Sequence, residues 1–381
     1  MVSSAYIHIP FCEKICHYCD FTKFFYDEKM ADDYLIALEN EMKAYIHKPK
    51  KKMETIFVGG GTPTALNEKQ LTKLVQIINH YFDVSTVSEY SFEANPGDLT
   101  NEKINILRAY GVNRISMGVQ VLDNDMLEQL GRLHRVKDVY ENVNGLIKAG
   151  IDNISIDLMY SLPNQSVEGF NQTLQEALQF HLPHYSAYSL QIEPKTIFYQ
   201  RYMKGKLSKP PEEIEADMYA LLRSEMRANG IHQYEISNFA KPGFESQHNL
   251  VYWNNQYYFG FGAGAHGYLP GERIINIRPF PKYVEAANNT GKPVLHIEHI
   301  GRKEQIEEEM FLGLRKSEGV SIDAFEQKYQ IPLNDLYGEE LRTLKQKGWI
   351  DITSSFVKLT EEGKPFGNEV FQSFLLDDNA V

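Results

Sequence analysis

The middle of this 381-residue chain repeats a short unit in which a helical pattern ends at a glycine and an apolar strand pattern follows at once. Residues 111–119 (GVNRISMGV) and 150–158 (GIDNISIDL) align position by position, and residues 230–237 (GIHQYEIS) begin in the same way. Glycine commonly ends a helix because it takes the left-handed backbone conformation at little steric cost. The unit therefore predicts helices and strands that alternate along the chain.

The sequence contains about seven strand patterns, and helical patterns such as residues 29–46 separate them. The strands lie near positions 6, 56, 90, 116, 155, 187 and 234. Strands that alternate with helices are typical of βα units, which build a parallel sheet. We therefore predict an α/β fold in which these units form a complete or partial TIM-type (β/α) barrel.

The pattern changes after about residue 300. Two short apolar segments, residues 348–352 and 356–360, resemble the strands of a hairpin. The predicted helices cover residues 303–316, 322–329, 334–347 and 366–375. The predicted parts are a barrel at 1–240, a connecting segment at 241–300 and a small helical, winged-helix-like domain at 301–381.

Charge argues against a role in binding nucleic acid. The formal net charge is −12 at pH 7, and residues 301–381 hold 10 Lys and Arg against 16 Asp and Glu. Because this sign repels phosphate backbones, protein docking or a lid role suits the C-terminal module better. No apolar run reaches membrane-spanning length, and the N-terminus lacks the charged start of a secretion signal. We therefore expect a cytoplasmic protein without a transmembrane segment.

All three cysteines of the chain, Cys12, Cys16 and Cys19, lie within eight consecutive positions. Three thiols cannot all pair as disulfides, and neighbours this close rarely bridge, so the group indicates a metal site. A structural zinc site takes four ligands, and the fourth would here be His8 or His17. An iron–sulfur cluster normally takes four thiolates, so three would leave one iron open to another ligand.

Barrels of βα units carry their chemistry at the carboxyl ends of the strands. Polar residues stand at these positions, where an interior strand would otherwise be apolar. They are Glu93, Asn95, Gln120, Asp157, Gln191, Glu193 and Glu235. Any one of them could cap a turn, but several on one predicted face favour a binding site beside the cysteines.

The predicted strand near residue 56 ends in a glycine-rich turn, residues 59–64 (GGGTPT). It is not a nucleotide P-loop, because no Gly-Lys-Ser/Thr follows, and Thr64 stands where a G-x-G-x-x-G motif has its last glycine. Two interpretations remain for this turn. It either joins a strand to a helix tightly, or it lets the backbone approach a ligand closely.

The C-x3-C-x2-C spacing of the cysteines resembles that of the radical S-adenosylmethionine (SAM) superfamily. The resemblance implies a [4Fe-4S] cluster on Cys12, Cys16 and Cys19, with the amino and carboxylate groups of SAM on the open iron. It also implies the partial (β/α) barrel of that superfamily. In these proteins a glycine-rich turn at the place of residues 59–64 binds the amino end of SAM.

Further motifs narrow the resemblance to the branch that contains oxygen-independent coproporphyrinogen III dehydrogenase. These motifs are residues 6–12 (YIHIPFC), 59–64 (GGGTPT), 92–97 (FEANPG), 118–120 (GVQ) and 156–158 (IDL). The SAM contacts that the branch implies are Tyr6, Gly60, Gly61, Thr62, Glu93, Gln120, Arg132 and Asp157. Carboxylates and Gln120 suit amine and ribose hydroxyl groups, and Arg132 suits the carboxylate of SAM.

Two features distinguish the members of this branch. The dehydrogenase has a further cysteine two places after the third, where this chain has Phe21. In addition, residues 248–253 (HNLVYW) fit the H-N-x-x-Y-W motif of the HemW haem-chaperone family. This second resemblance implies that the chain binds haem, with His248 as a ligand of the iron and with Tyr252 and Trp253 beside the porphyrin.

These resemblances lead to one main interpretation and two rivals. The main one is a cytoplasmic haem chaperone that binds a [4Fe-4S] cluster, SAM and haem and transfers haem to an acceptor protein. A peripheral position at a membrane and a homodimer are further expectations, and cleavage of SAM is left open. His17, where proline is expected after the second cysteine, is an alternative to His248 as the haem ligand. The rivals are an oxygen-independent coproporphyrinogen III dehydrogenase and a zinc-stabilised binding module.

Overall fold

Nine strands form one sheet in residues 2–377, the part of the chain that the computed structural model describes. In chain order they are β1 (Ser4–Ile9), β2 (Thr55–Gly60), β3 (Glu89–Ala94), β4 (Arg114–Gln120), β5 (Asn153–Tyr160), β6 (His184–Ser189), β7 (His232–Gln233), β8 (Asn238–Ala240) and β9 (Phe259–Phe261). The spatial order is β7-β8-β6-β5-β4-β3-β2-β1-β9. Strands β1 to β6 pair in parallel, and β9 pairs in parallel with the free side of β1. The predicted partial barrel is therefore confirmed.

The prediction of a seventh parallel strand near residue 234 is wrong. Strand β7 has two residues and pairs antiparallel with β8, which runs antiparallel to β6. The unit that begins at Gly230 matches the other two only at its start, and after Gln233 the chain turns back. The remaining parallel strand is β9, whose three residues, one of them glycine, are too few to form a strand pattern.

Helices connect these strands, and most of them share the strands' hydrophobic core, while α4 and α7 pack in a smaller cluster. Those before residue 230 are α1 (Glu28–Tyr45), α2 (Glu68–Tyr81), α3 (Asn101–Ala109), α4 (Asn124–Leu130), α5 (Val136–Ala149), α6 (Val167–Leu178), α7 (Ile197–Met203) and α8 (Glu212–Ala228). Gly111, Gly150 and Gly230 follow α3, α5 and α8 with φ of 92°, 77° and 71°. Each helix of the repeated unit thus ends at the predicted glycine, which directs the chain into the next strand.

The two faces of the sheet differ in polarity because successive side chains of a strand point to opposite sides. Ile7, Val58, Phe92 and Ile115 lie side by side in the register and are fully buried in the core. Full burial of such a side chain contributes roughly 1.5–3 kcal/mol. The opposite face carries polar residues such as Glu93. The apolar face therefore stabilises the barrel, and the polar face is available for a site.

Residues 241–300, predicted as a connecting segment, also supply β9 to the central sheet. Their other elements are α9 (Gln247–Trp253), β10 (His266–Leu269), β11 (Glu272–Asn276), α10 (Phe280–Thr290) and β12 (Val294–His299), and the three strands form an antiparallel sheet. Glu41 on α1 fastens this segment to the barrel, because its buried carboxylate accepts hydrogen bonds from Gly262 N at 2.9 Å and Asn276 Nδ2 at 2.6 Å. The domain boundaries themselves stay a prediction.

The C-terminal part has a hydrophobic core of its own, with buried side chains such as Ile306, Phe325 and Leu341. Its elements are α11 (Arg302–Gly313), β13 (Val320–Ser321), α12 (Ile322–Tyr329), α13 (Leu333–Gln346), β14 (Ile350–Ile352), β15 (Phe356–Leu359) and α14 (Gly367–Gln372). Strands β14 and β15 form the predicted hairpin, and β13 pairs with β15. Helices with a small sheet give the predicted winged-helix-like arrangement. Throughout the described residues, no helix combines the length and the apolar character needed to cross a membrane.

Candidate functional site at the barrel mouth

The loop that leaves β1, residues 10–26, carries the three cysteines, and we call it the cysteine loop. Its two ends are held together by backbone hydrogen bonds. Phe24 N donates to Pro10 O at 2.6 Å, and Tyr26 N donates to Cys12 O at 2.9 Å. The loop therefore closes on itself at the carboxyl end of β1 and keeps the cysteines at the mouth of the barrel.

The three cysteines are free thiols that line one cavity of about 320 Å³, the cysteine cavity, at the carboxyl ends of β2 to β5. Cys12 is buried, and Cys16 and Cys19 are half-buried. Thr62 Oγ1 lies 3.5 Å from Cys12 Sγ, and Arg132 Nη1 lies 3.4 Å from Cys16 Sγ. Both groups donate towards sulfur, which suits thiolates that ligate a metal.

Burial keeps the protons on two of these thiols, those of Cys12 and Cys19. It raises the pKa of Cys12 to about 11, although the Thr62 hydroxyl opposes the shift, and it also raises the pKa of Cys19. A metal must therefore displace the protons when it binds. Among residues 2–377, no three His, Cys, Asp or Glu side chains already converge on a point that could hold a single ion. An iron–sulfur cluster does not require this, because each thiolate binds a different iron.

The glycine-rich turn at the end of β2 packs directly against the cysteine loop. Gly61 N donates to Ile9 O at 2.9 Å, and Thr62 N donates to Phe11 O at 2.7 Å. A Cβ atom on Gly61 would lie 2.8 Å from Phe11 O, and Gly60 has φ of 117°, which other residues rarely adopt. The tight turn therefore accounts for these glycines, and their contact with a ligand stays a prediction.

Two carboxylates, Glu93 on β3 and Asp157 on β5, line the cysteine cavity from the polar face of the sheet. Glu93 Oε2 accepts from Gly60 N at 2.8 Å, and Asp157 Oδ1 accepts from Ser116 Oγ at 3.1 Å. Burial raises the pKa of Glu93 to about 8 and also raises the pKa of Asp157. Ionisation of either group is therefore costly until a positive group comes close.

Gln120 and Arg132 complete the wall of the cavity beside β4. Gln120 has a left-handed backbone with φ of 69°, at an irregularity in the register between β4 and β5. A non-glycine residue in this conformation indicates local strain, which clusters at functional positions. The half-buried guanidinium of Arg132 donates to Asn95 Oδ1 at 2.7 Å and to Gly118 O at 2.5 Å, so its orientation is held from two sides.

The two histidines considered as zinc ligands both make other bonds. Tyr6 Oη lies 2.8 Å from His8 Nδ1, and His8 Nε2 lies 2.8 Å from Thr22 O. Because a carbonyl oxygen only accepts, Nε2 of His8 donates and its Nδ1 accepts from the tyrosine hydroxyl. Burial lowers the pKa of His8 to about 4, which keeps the ring neutral. His17 Nδ1 donates to Gln129 O at 2.8 Å.

The H-N-x-x-Y-W motif forms α9, and its histidine lies inside the protein. His248 is fully buried, with Nδ1 at 2.8 Å from Thr55 Oγ1 and Nε2 at 2.9 Å from Tyr252 Oη. Its ring stacks on that of Phe57 at a centroid distance of 5.3 Å, and burial lowers its pKa to about 3. Both ring nitrogens of His248 are therefore engaged within the protein.

The predicted SAM contacts other than Tyr6 all line the cysteine cavity, and so does Asn95. Other predicted residues lie elsewhere. Trp253 lies beneath the guanidinium of Arg315, which is 5.6 Å from its ring centroid, at the contact with the C-terminal part. Gln191 and Glu235 line a separate cavity of about 800 Å³ between the barrel and the C-terminal part.

Comparison with known proteins establishes the family. The family model of the radical SAM superfamily matches residues 6–177, and that of the HemN C-terminal domain matches residues 300–366. Over 376 residues the chain is 51% identical to the haem chaperone HemW of Bacillus subtilis (strain 168), which covers 98% of this chain and 99% of that protein. This chain belongs to the HemW family.

Other similarities agree with membership of the HemW family. The haem chaperone HemW of Lactococcus lactis subsp. lactis (strain IL1403) is 43% identical over 376 residues, 99% of this chain and 98% of that protein. The structure of coproporphyrinogen III oxidase (HemN) from Escherichia coli superposes with a TM-score of 0.85. It is 23% identical and covers 98% of this chain and 90% of that chain, which shows a common fold. The predicted resemblance to the HemW family is confirmed.

In this member of the HemW family a second cavity of about 380 Å³, the rim cavity, adjoins the cysteine cavity. The two cavities share Phe21, Gly60 and Glu93, so they form one continuous mouth. His266 and Arg278 line the rim cavity, and sequence reasoning did not single them out. The G-x-G-x-G run that ends two residues before His266 is a signal for that residue, and no such signal marks Arg278.

Proposed function

We propose that this chain binds haem as its cargo and transfers it to an acceptor protein, with a [4Fe-4S] cluster and SAM as resident cofactors at the barrel mouth. The cysteine cavity carries the proposal, because three free thiols and the polar ends of β2 to β5 line the same space. Two of the HemW relatives that match nearly the whole chain, those of Bacillus subtilis and Lactococcus lactis, are haem chaperones, which supports haem as the cargo.

The cysteine loop suits an iron–sulfur cluster. Cys12, Cys16 and Cys19 would supply the thiolates, and Thr62 and Arg132 already donate towards two of the sulfur atoms. Hydrogen bonds to ligating sulfur stabilise its negative charge and tune the cluster. When bound, the cluster supplies an open iron site for SAM and an electron for its chemistry.

The mouth offers partners for the charged groups of SAM. Glu93 and Asp157 have raised pKa values, and a sulfonium or ammonium group nearby would stabilise their ionised forms. Arg132 would pair with the SAM carboxylate, and Gln120 and Thr62 offer neutral polar contacts. The other proposed contacts are Tyr6, Gly60 and Gly61. These residues bind and orient the cofactor, and whether SAM is cleaved is a separate question.

The haem contacts implied by the family motif, His248, Tyr252 and Trp253, require a local rearrangement. Both nitrogens of His248 are bonded, to Thr55 and to Tyr252, so iron could bind only after one of these bonds breaks. Leaving a buried hydrogen-bonding group without its partner costs about 1–3 kcal/mol of free energy. Ligation by His248, or by His17, therefore stays a prediction, and haem binding does not depend on it.

For the acceptor protein and for the cellular location of this chain, we propose only general features. The acidic C-terminal part, with 16 Asp and Glu against 10 Lys and Arg in residues 301–381, would serve as a docking surface or a lid. A basic acceptor surface would complement this charge. A cytoplasmic location, a peripheral position at a membrane and a homodimer are further expectations from the sequence.

The competing function is that of oxygen-independent coproporphyrinogen III dehydrogenase. The likeness to HemN shows that the fold is shared, and the dehydrogenase has a further cysteine where this chain has Phe21. Because Phe21 cannot replace a thiol, a reaction that needs this cysteine is disfavoured. In a zinc-stabilised module, the remaining alternative, ligation by His8 would cost one of its two present hydrogen bonds, whereas His17 is hydrogen-bonded through Nδ1 alone among the described residues.

Anaerobic reconstitution with iron and sulfide, followed by haem titration, tests the proposal. We expect the wild type to take up both elements, to bind haem and to transfer it to the added apo form of a haem protein. A variant that replaces Cys12, Cys16 and Cys19 by serine should take up neither element. Retention of zinc without sulfide, absence of haem binding, or turnover of coproporphyrinogen III would each contradict the proposal.

A further inference from the structure

We propose that haem binds in the rim cavity with His266 as an axial ligand of its iron. The inference rests on the proposed haem-chaperone function, and it adds the cavity in which haem binds and the residue that ligates its iron. It differs from the prediction based on the motif, because His266 lies outside residues 248–253 and on a different element, strand β10.

His266 offers an imidazole that is free to bind iron. Of the described residues that line the rim cavity, two are histidines, His8 and His266. His8 uses both ring nitrogens within the protein, on Tyr6 and Thr22. His266 is exposed, and across residues 2–377 neither of its ring nitrogens has a hydrogen-bond partner. A free imidazole that faces a cavity is a common axial ligand of haem iron.

The charges around His266 suit both the iron and the carboxylates of haem. Arg278 lines the same cavity, is exposed, and has no carboxylate partner among the described residues. Arg273, by contrast, is paired with Glu308 at 2.7 Å and lies 3.5 Å from Glu298. A free guanidinium can bind a propionate through two parallel hydrogen bonds. Partial loss of water around the ring, together with the charges of these two arginines, lowers the pKa of His266, which keeps its ring in the neutral form that ligates metal.

Aromatic side chains form an apolar wall at the same place. Phe21, in the cysteine loop, is 66% exposed and lines both the rim cavity and the cysteine cavity. On the other side, Tyr252 and Tyr258 pack edge to face with centroids 4.8 Å apart, and both line the rim cavity. A porphyrin in this space would cover Phe21 and contact the tyrosine rings, and the burial of that surface favours binding.

The backbone holds His266 close to the cysteine loop. Gly264 has φ of 72°, and a Cβ atom there would lie 2.6 Å from Thr22 Oγ1, so the two loops are in contact. Gly262 N donates to the buried carboxylate of Glu41 at 2.9 Å, which anchors the start of the same turn. Strand β10 begins at His266, immediately after this anchored turn. The ligand is therefore positioned before haem arrives, which lowers the cost of binding.

The mouth offers separate places for two occupants. The rim cavity, of about 380 Å³, and the cysteine cavity, of about 320 Å³, meet at Phe21, Gly60 and Glu93. Each lies within the usual range for ligand sites, about 300–1,000 Å³. SAM would occupy the cysteine cavity, and haem would occupy the rim cavity with one edge towards solvent, since His266 and Arg278 are exposed. An exposed edge suits a cargo that an acceptor must reach.

Titration of the reconstituted full-length protein with haem, followed by its Soret absorption, tests the inference. We expect His266→Ala to weaken haem binding at least about tenfold, because loss of groups that only orient a metal ligand already costs about 10–100-fold. Imidazole added to this variant should restore the wild-type spectrum, since it can take the vacant position on iron. Arg278→Gln keeps the ligand and should weaken binding about two- to fivefold without a change of spin state.

His299→Ala is the matched control. His299 lies on β12 of the same small sheet. On the central strand β11, His299 pairs with Glu272 and His266 pairs with Ile275, and these two partners are three residues apart. The two histidines therefore lie on opposite faces of the sheet, and both are exposed. His299→Ala should bind haem like the wild type. Thermal unfolding of each variant verifies that the fold is intact.

The outcomes separate this inference from the proposed function. Wild-type affinity in His266→Ala would overturn the rim site, while haem binding by the wild type would leave the chaperone function standing. A loss of affinity in His248→Ala but not in His266→Ala would overturn the inference in favour of the motif. If the wild type binds no haem, the inference and the proposed function both fail.

Discussion

Glu41 is a buried carboxylate whose effect on stability can be predicted from its surroundings. It is fully buried on α1 and accepts hydrogen bonds from Gly262 N at 2.9 Å, Asn276 Nδ2 at 2.6 Å and Tyr283 Oη at 2.6 Å. Burial raises its pKa from 4.5 to about 7, although each of the three bonds lowers it. Glu41→Gln removes the titrating group and keeps the size of the side chain and one acceptor oxygen.

The sign of the effect follows from the two pKa values. Glu41 titrates near pH 7 in the folded protein and near 4.5 when unfolded, so the folded state binds the proton more tightly. The stability that the protonated group contributes is fully present below about pH 4.5 and is lost as the pH rises through 7. The shift from 4.5 to about 7 corresponds to roughly 3 kcal/mol. About 2.5 kcal/mol of this loss falls between pH 5 and 8.

Urea unfolding of the wild type and Glu41→Gln at several pH values from 5 to 8 measures this loss. We expect the unfolding free energy of the wild type, relative to the variant, to fall by about 2.5 kcal/mol over this range. Other buried groups titrate in the same pH range, such as Glu93 with a pKa of about 8. They change the unfolding free energy of both proteins alike, so their contribution cancels in the difference. A difference that stays constant with pH would refute the reasoning.

Two further substitutions test other contacts of the barrel. Gly61→Ala would place a Cβ atom 2.8 Å from Phe11 O, so we expect the cysteine loop to shift, stability to fall by about 1–3 kcal/mol and iron uptake to decrease. Gly169→Ala, where the nearest atom would be 3.4 Å away, is the control and should keep its iron. Arg114→Leu would leave the buried carboxylate of Glu89 without the guanidinium 3.9 Å away, and thermal unfolding should show a loss of about 3–5 kcal/mol. A loss below about 1 kcal/mol would contradict this role of the pair.

Sequence patterns predicted the fold where structure depends on neighbours along the chain. Gly111 and Gly150 end helices because a left-handed residue is needed there, and that requirement is local. Strand β9 shows the limit of such patterns. Its three residues form part of the sheet only because they pair with β1, about 250 residues earlier in the chain. Pairing over this distance leaves no periodicity that a short window could reveal.

The same distinction holds for the site. The spacing of the cysteines is a local pattern, and all three thiols line one cavity as expected. The H-N-x-x-Y-W motif located α9, but the environment of His248 depends on Thr55, which is 193 residues away. His266 belongs to no motif, and its place at the mouth follows from the contact between Gly264 and Thr22. Motifs in the sequence therefore identified candidate residues for the site. Packing between distant parts of the chain determines which of their side chains face the cavities.

The cysteine loop connects the two halves of the mouth physically. Thr22 accepts a hydrogen bond from His8 and touches the turn before His266, and Phe21 forms a wall of both cavities. A cluster on the cysteines would order this loop before haem arrives, so haem should bind more tightly to the cluster-loaded protein than to the cluster-free protein. Because coupling of two binding events is reciprocal, haem should stabilise the bound cluster by the same factor. Cluster and haem would then behave as two coupled occupants of one site, which would link loading of cargo to the presence of the cofactor.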